Sequence, residues 1–168
     1  MDLEKILSKS KNSSRTLLDI SDDRINKALN KLAVALVKNS AGILKDNKKD
    51  LAKISNTDPI YDRILLNPTR ILEIADSLKT ISKYDSPIGR ILEQRTLKNG
   101  LKLKKVSVPF GVIGVVFEAR PNVVVDVFAL CFKSKNACVL KGGSQSEFSN
   151  KVLVKIIKDT LKAEKIDE

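Results

Sequence analysis

A chain of 168 residues is long enough for one domain with a real core and too short for two ordinary ones, and its 42% hydrophobic content excludes a disordered tail. Lysine and arginine (31) outnumber aspartate and glutamate (20) to leave +11, but the excess is shared evenly, +5 over residues 1–97 and +6 over residues 98–168, with no block of five like charges. That pattern describes a lysine-rich solvated surface, and with aromatics at only 4% for stacking it argues against a nucleic-acid partner.

The first 85 residues predict helices throughout. A short amphipathic start runs from Met1 to about Ser10, with Leu3, Ile6 and Leu7 on one side. It lacks the apolar run of a signal peptide, and nowhere do 18 apolar residues follow one another, so a soluble cytoplasmic chain with no membrane partner is expected. Ser21 suits an N-cap, with Asp22 and Asp23 placed to complement the helix dipole, and Ile25, Ala28, Leu29, Leu32, Leu36 and Val37 recur behind it at helical spacing. Asn39-Ser40 interrupts before a second stripe of Ile43, Leu44, Leu51 and Ile54. Thr57-Asp58-Pro59 and Asn67-Pro68 break the pattern again, Pro68 standing where a first helical turn accepts proline. Packing is the expected role of this whole segment.

Ser86-Pro87-Ile88-Gly89 marks a change. Arg90–Leu97 and Leu101–Val108 alternate apolar and polar residues around Lys98-Asn99-Gly100, a hairpin signal because both residues of an Asn-Gly turn accept positive φ. Lysines at 102, 104 and 105 protect such a ribbon from random pairing, and it also suits a contact with another subunit. Val112–Phe117 then reads as a strand covered on both faces, Glu118–Asn122 as a turn, and Val123–Lys133 as a helix with Val124, Val127, Phe128 and Cys131 inward. Ala137–Leu140 is a second buried strand. Gly142-Gly143 opens a loop, and a last helix follows from about Glu147 to Ala163 with Val152, Ile156, Ile157 and Leu161 as its stripe. The order implies an α/β fold with parallel strands: a helical segment (1–85), a hairpin (90–108) and a partial Rossmann-like βαβα unit (109–168).

Ligands of such sheets collect beyond the carboxyl ends of the strands, which is where two polar loops fall. Lys141-Gly142-Gly143-Ser144 offers glycines for close backbone approach, a positive charge, and a following helix whose N–H groups suit an anion; a plain βα turn would look similar. Asn122 either caps the helix after it or donates its amide to a developing oxyanion. Arg120 is either a surface charge or a clamp on an anionic substrate. The chain holds no histidine, so the usual base of a Ser or Cys triad is missing, and with only two cysteines a metal site is not expected. Cys131 and Cys138, seven apart in apolar contexts, read as inert core residues.

The block VPFGVIGVVFEARPNVVVDVFALCFKSKNACVLKGGS resembles the gamma-glutamyl phosphate reductase (glutamate-5-semialdehyde dehydrogenase) family, and YDRILLNPTRILEIADSL and PIGRILEQRTLKNGLKLKKVSVP resemble it as well. The resemblance implies the aldehyde dehydrogenase fold, here its N-terminal helices, hairpin and the first half of its Rossmann-like cofactor-binding domain. It also implies NADPH-dependent reduction of L-glutamyl 5-phosphate to L-glutamate 5-semialdehyde in proline biosynthesis. Asn122 would match the oxyanion-stabilising asparagine and Lys141 the lysine on the cofactor's adenosine ribose. Ser144 stands where NAD-preferring relatives often carry Glu, which favours NADP(H). Members of the family are longer and carry their cysteine nucleophile further downstream, aligned with neither cysteine here. The expectation is therefore a truncated, catalytically incomplete portion that pairs with a missing half or a second copy through the hairpin. The alternative is a non-catalytic remnant that binds a nucleotide or a partner.

Overall fold

The computed structural model describes residues 2–167. Five helices precede the first strand: α1 (Leu3–Thr16), α2 (Asp22–Lys38), α3 (Ser40–Leu51), α4 (Pro59–Ile64) and α5 (Pro68–Ser82). Their boundaries follow local chemistry. Ser21, Asp58 and Asn67 each turn a side-chain oxygen onto a backbone N–H of the first turn, of Arg24, Ile60 and Arg70 respectively, and Pro59 and Pro68 occupy positions where a missing N–H costs nothing. The first helix runs six residues beyond the expected Ser10, because Ser10 and Ser14 return their hydroxyls to the carbonyls of Ile6 and Lys11 instead of breaking the helix.

A ribbon of β1 (Ile91–Thr96) and β2 (Lys102–Val106) comes next, antiparallel from Ile91↔Val106 to Thr96↔Lys102, and every residue of both strands is exposed. Its turn differs in detail from the expected one. Only Gly100 takes a positive φ (84°), Gly100 N–H donates to Leu97 O at 2.9 Å, and Leu97 and Leu101 close the strands at 2.8 Å. Lys98-Asn99-Gly100 is therefore a three-residue loop with one left-handed position, and Asn99 serves by accepting the N–H of Leu101 at 3.1 Å.

The chain then builds β3 (Val112–Val116), α6 (Asn122–Lys133), β4 (Ala137–Lys141), a 3₁₀ turn at Ser144–Ser146 and α7 (Glu147–Ala163). β3 and β4 run parallel in register from Val112↔Ala137 to Val116↔Lys141. With a single neighbour each, they are less covered than their sequence implies. Val112, Ile113 and Val115 are half-buried, and Val116 is 83% exposed. α1 and α6 pack against this pair of strands.

One aliphatic core joins the parts: Ile25, Leu29, Leu32 and Leu36 of α2, Ile71 and Leu78 of α5, Val124, Val125 and Phe132 of α6, and Leu153, Ile156, Ile157 and Leu161 of α7. On α7 the deepest apolar residue is Leu153 and Val152 is only half-buried, a shift of one position in the expected stripe. The helical segment also carries polar residues that packing alone does not explain. Asn47 and Asp50 of α3 are fully buried. Asn47 donates to Ile64 O (2.8 Å) and accepts from Leu66 N–H (2.9 Å), fixing the α4–α5 connection. Asp50 accepts the N–H groups of Phe148 and Ser149, at 3.1 and 2.8 Å, across to α7.

Candidate functional site: the rim beyond β3 and β4

The two polar loops leave the carboxyl ends of adjacent parallel strands, and the strand ladder continues into them. Phe117 N–H donates to Lys141 O at 3.0 Å, and Gly143 N–H to Glu118 O at 3.2 Å. The turn that carries Arg120 and Asn122 is thereby tied to Lys141-Gly142-Gly143-Ser144. A side chain would be crowded at both glycines, and most severely against backbone at Gly143. A Cβ on Gly143, whose φ of −70° is ordinary, would lie 2.7 Å from Glu118 O, and one on Gly142 would lie 2.4 Å from Asn150 Nδ2 and 3.1 Å from the Phe117 ring. Lys141 and Ser144 stand exposed on this rim, with Lys141 Nζ donating to Gly142 O at 3.0 Å.

Asn122 does not cap α6. It is the first helical residue, preceded by Pro121 in helical conformation, and its amide donates to Asp126 Oδ2 one turn later at 2.9 Å. This i, i+4 pair was readable in the sequence, since residues four apart share a helix face. Burial pushes the Asp126 carboxyl above the usual aspartate value, and the hydrogen bond from Asn122 opposes that in part. Asn122 retains a second amide hydrogen to offer a ligand.

The α7 N-terminus behaves differently from expectation. Its leading N–H groups are not available to an anion, because those of Phe148 and Ser149 are taken by Asp50. An anion near the glycine loop would have to be met by Lys141 and the loop itself rather than by these two groups.

Beside Asn122 lies a cleft of about 380 Å³ between the α4–α5 segment and the first turn of α6, which Arg63, Arg70, Glu73, Arg120, Asn122 and Asp126 help to line. Arg70 is committed: it donates to Asp62 O, Leu65 O and Asp62 Oδ1 at 2.6–2.7 Å. A larger groove of about 880 Å³ lies between α1 and the last turn of α7, near Lys5, Lys9 and Lys162 and far along α7 from the rim.

The two cysteines are neighbours. The Cys131 thiol on α6, beside Cys138 on β4, together with burial pushes the Cys138 thiol up. The turn between them makes the encounter. Lys135 takes the left-handed conformation (φ 55°) and Asn136 N–H returns to Cys131 O at 2.8 Å, folding β4 back along α6. Cys138 lies in mid-strand and Cys131 in the last turn of its helix, and neither reaches the rim.

Helices, an exposed ribbon and a parallel βαβα unit with its polar loops at the carboxyl edge match an N-terminal part of the aldehyde dehydrogenase fold. A probable aldehyde dehydrogenase from Listeria monocytogenes superposes over 98% of this chain and 34% of its own, with a TM-score of 0.73 at 15% identity. The likeness then narrows to one enzyme. Gamma-glutamyl phosphate reductase from Chlorobium phaeobacteroides is 50% identical over 157 residues, which is 94% of this chain and 38% of that protein. The crystal structure of gamma-glutamyl phosphate reductase from Thermotoga maritima matches with a TM-score of 0.94 at 32% identity, over 99% of this chain and 41% of that one. No family model matches the sequence. The chain is a homologue of the gamma-glutamyl phosphate reductases along nearly its whole length, and it spans little more than a third of the length of the curated relatives it matches. Among the described residues no helix is long and apolar enough to cross a membrane.

Proposed function

We propose that this chain supplies the cofactor-side rim and the oxyanion donor for NADPH-dependent reduction of L-glutamyl 5-phosphate to L-glutamate 5-semialdehyde, the step its relatives' name describes, within proline biosynthesis in the cytoplasm. The observation that carries the reading is the hydrogen bond from Gly143 to Glu118 (3.2 Å), which joins the Lys141–Ser144 loop to the turn bearing Arg120 and Asn122. One rim then offers groups for a dinucleotide and a donor for an acyl oxygen.

The fit to a nicotinamide dinucleotide rests on this chain's own residues. Gly142 and Gly143 leave no room for a Cβ of their own and bring loop backbone close to the surface, between exposed Lys141 and Ser144. Lys141 would hold the adenosine ribose by charge and hydrogen bonding, and Ser144 would leave space without repulsion for a 2′-phosphate. When bound, the cofactor supplies the hydride. Asn122 would donate its free amide hydrogen to the acyl oxygen as negative charge gathers there, a preorganised contact of the kind that lowers the barrier of acyl transfer. Asp126 holds that amide in place from one turn away.

The thiolate that displaces phosphate from the acyl group must come from outside these residues, since Cys131 and Cys138 engage each other away from the rim. The exposed ribbon of residues 90–108 is the surface through which a complementing polypeptide or a second copy would dock. Its outward Ile91, Leu92, Leu101 and Val108 gain most from being covered.

The test is complementation. The purified chain is mixed with a polypeptide carrying the part of the Thermotoga reductase it does not match, and phosphate-dependent NADP⁺ reduction by the semialdehyde is followed. Turnover that needs both polypeptides supports the reading. A mixture without turnover, together with no NADPH fluorescence change on the chain alone, rejects it.

A further inference from the structure

The turn between α6 and β4 is fixed from both sides. Asn136 N–H donates to Cys131 O at 2.8 Å and Lys135 N–H to Phe132 O at 3.0 Å, the double closure that a left-handed Lys135 permits. Asn136 then pins the turn to the start of β3. Its buried side chain accepts Gly111 N–H at 2.8 Å and donates to Ser134 O at 3.0 Å, while Ala137 N–H reaches Gly111 O at 2.9 Å. Cys138 follows at once, in register with Ile113, and its thiol comes to rest beside that of Cys131.

These are the chain's only cysteines, and both are free thiols. Each alters the ionisation of the other, which requires close approach: the Cys138 thiol lowers the Cys131 value, and the Cys131 thiol with burial raises that of Cys138. A bond between them would close a loop over residues 131–138 whose backbone is already folded back on itself. The chain entropy that normally opposes closure is therefore lost on folding, before any bond forms. Access is unequal, since Cys131 is buried at 5% exposure and Cys138 is half-buried.

We propose that Cys131 and Cys138 form a reversible thiol–disulfide site, oxidised by small-molecule disulfides. Cys138, the more exposed of the two, attacks the reagent as its thiolate. The reagent's S–S bond breaks, a mixed disulfide forms on Cys138, and one small thiol leaves carrying the Cys138 proton. The Cys131 thiolate then attacks the Cys138 sulfur, the mixed disulfide breaks, and a second small thiol leaves carrying the Cys131 proton. Two protein thiols are oxidised to one disulfide as one reagent disulfide is reduced to two thiols. Where thiols are kept reduced, such a bond forms only as the ratio of disulfide to thiol rises, so the pair responds to the redox state of its surroundings. The site lies away from the rim, and it stands or falls independently of the cofactor reading.

The whole chain is equilibrated in glutathione buffers of graded composition, once under native conditions and once in denaturing urea. Free thiols are then blocked with a maleimide and the mass is read. The native chain is expected to yield a monomer about 2 Da lighter than the dithiol, carrying no maleimide and restored by dithiothreitol. Its equilibrium constant for disulfide formation is expected to be at least tenfold larger than in urea, because the fold holds the thiols together. Cys138→Ser and Cys131→Ala are each expected to stop at one glutathione adduct. An equal or smaller constant in the native chain overturns the site, as does accumulation of glutathione adducts or covalent dimers in place of the internal bond. The comparison of native with denatured parent chain needs neither variant to fold.

Discussion

Asp50 accepts both the backbone N–H and the hydroxyl of Ser149, at 2.8 and 2.7 Å, from a position where its own side chain is wholly buried. A carboxylate on α3 thus acts as the N-cap of α7, a helix whose adjoining Ser146 makes no cap bond of its own. Hydrogen bonds to an ionised group contribute about 1.5–3 kcal/mol each, and a buried partner left unpaired costs more. Asp50→Ala is expected to destabilise the chain by about 2–4 kcal/mol, a fall in Tm of roughly 5–15 °C. Asp46→Ala, which removes only a surface pair with Lys49, should cost under about 0.5 kcal/mol. Thermal unfolding of the two variants checks the contrast, and equal losses would remove the capping role.

The glycine pair separates a tolerable crowding from an intolerable one. A Cβ on Gly142 meets the end of the Asn150 side chain, which can rotate away, whereas one on Gly143 meets the backbone of Glu118, which can move only if the two loops part. Gly143→Ala should therefore cost about 1–3 kcal/mol, with Gly142→Ala closer to 1 kcal/mol. NADPH affinity should fall at least tenfold for Gly143→Ala and by less for Gly142→Ala. Denaturant midpoints and cofactor fluorescence measure the two effects, and a reversed order would mean that the loops are not joined at Gly143.

How much of this was readable beforehand depends on how far each interaction reaches along the chain. The caps at Ser21 and Asn67 act over three residues, so the sequence displays cap and helix together. The cap of α7 comes from 99 residues away, and nothing around Glu147 announces it. Without that partner the α7 N-terminus read as an open anion site, which the fold closes. Asn122 and Asp126 were within view, but the capping habit of asparagine hid the pairing. The cysteines met because Lys135, not a glycine, adopts the left-handed turn, a conformation that lysine does not advertise. β3 read as fully covered because its residues are uniformly apolar, and composition does not reveal how many neighbours a strand has.

Asp126 predicts a pH dependence. Burial raises its folded-state pKa above the ordinary 3.8, so its ionisation is less favourable in the folded chain than in the unfolded one. Its stabilising effect is then complete below the unfolded value and is lost as pH rises through the folded value. Asp126→Asn cannot ionise and can still accept the Asn122 amide hydrogen through its own carbonyl oxygen. Relative to the parent chain, this variant should gain stability as pH rises from below 3.8 towards neutrality. Tm measured across that range tests the sign: a gap that narrows or stays flat would mean that the carboxylate is better solvated than its burial implies.

Ser144 tests the cofactor reading with a single charge. It stands exposed beside Gly143, at the entrance to the 3₁₀ turn before α7, so a longer side chain there reaches solvent without repacking the core. A carboxylate at this position would repel the 2′-phosphate of NADPH and accept a hydrogen bond from the 2′-hydroxyl of NADH. Ser144→Glu should then lower the ratio of NADPH to NADH affinity at least tenfold, with fold stability changed by less than about 0.5 kcal/mol, as for a surface substitution. Lys141→Ala, which removes the cation proposed to hold the adenosine ribose of either cofactor, should weaken both cofactors together. Fluorescence titrations of the two cofactors against each variant distinguish these outcomes. Should Ser144→Glu leave the ratio untouched while Lys141→Ala abolishes binding, the adenosine end sits at Lys141 but its 2′ substituent points away from residue 144, and Ser144 has no part in choosing between the two cofactors.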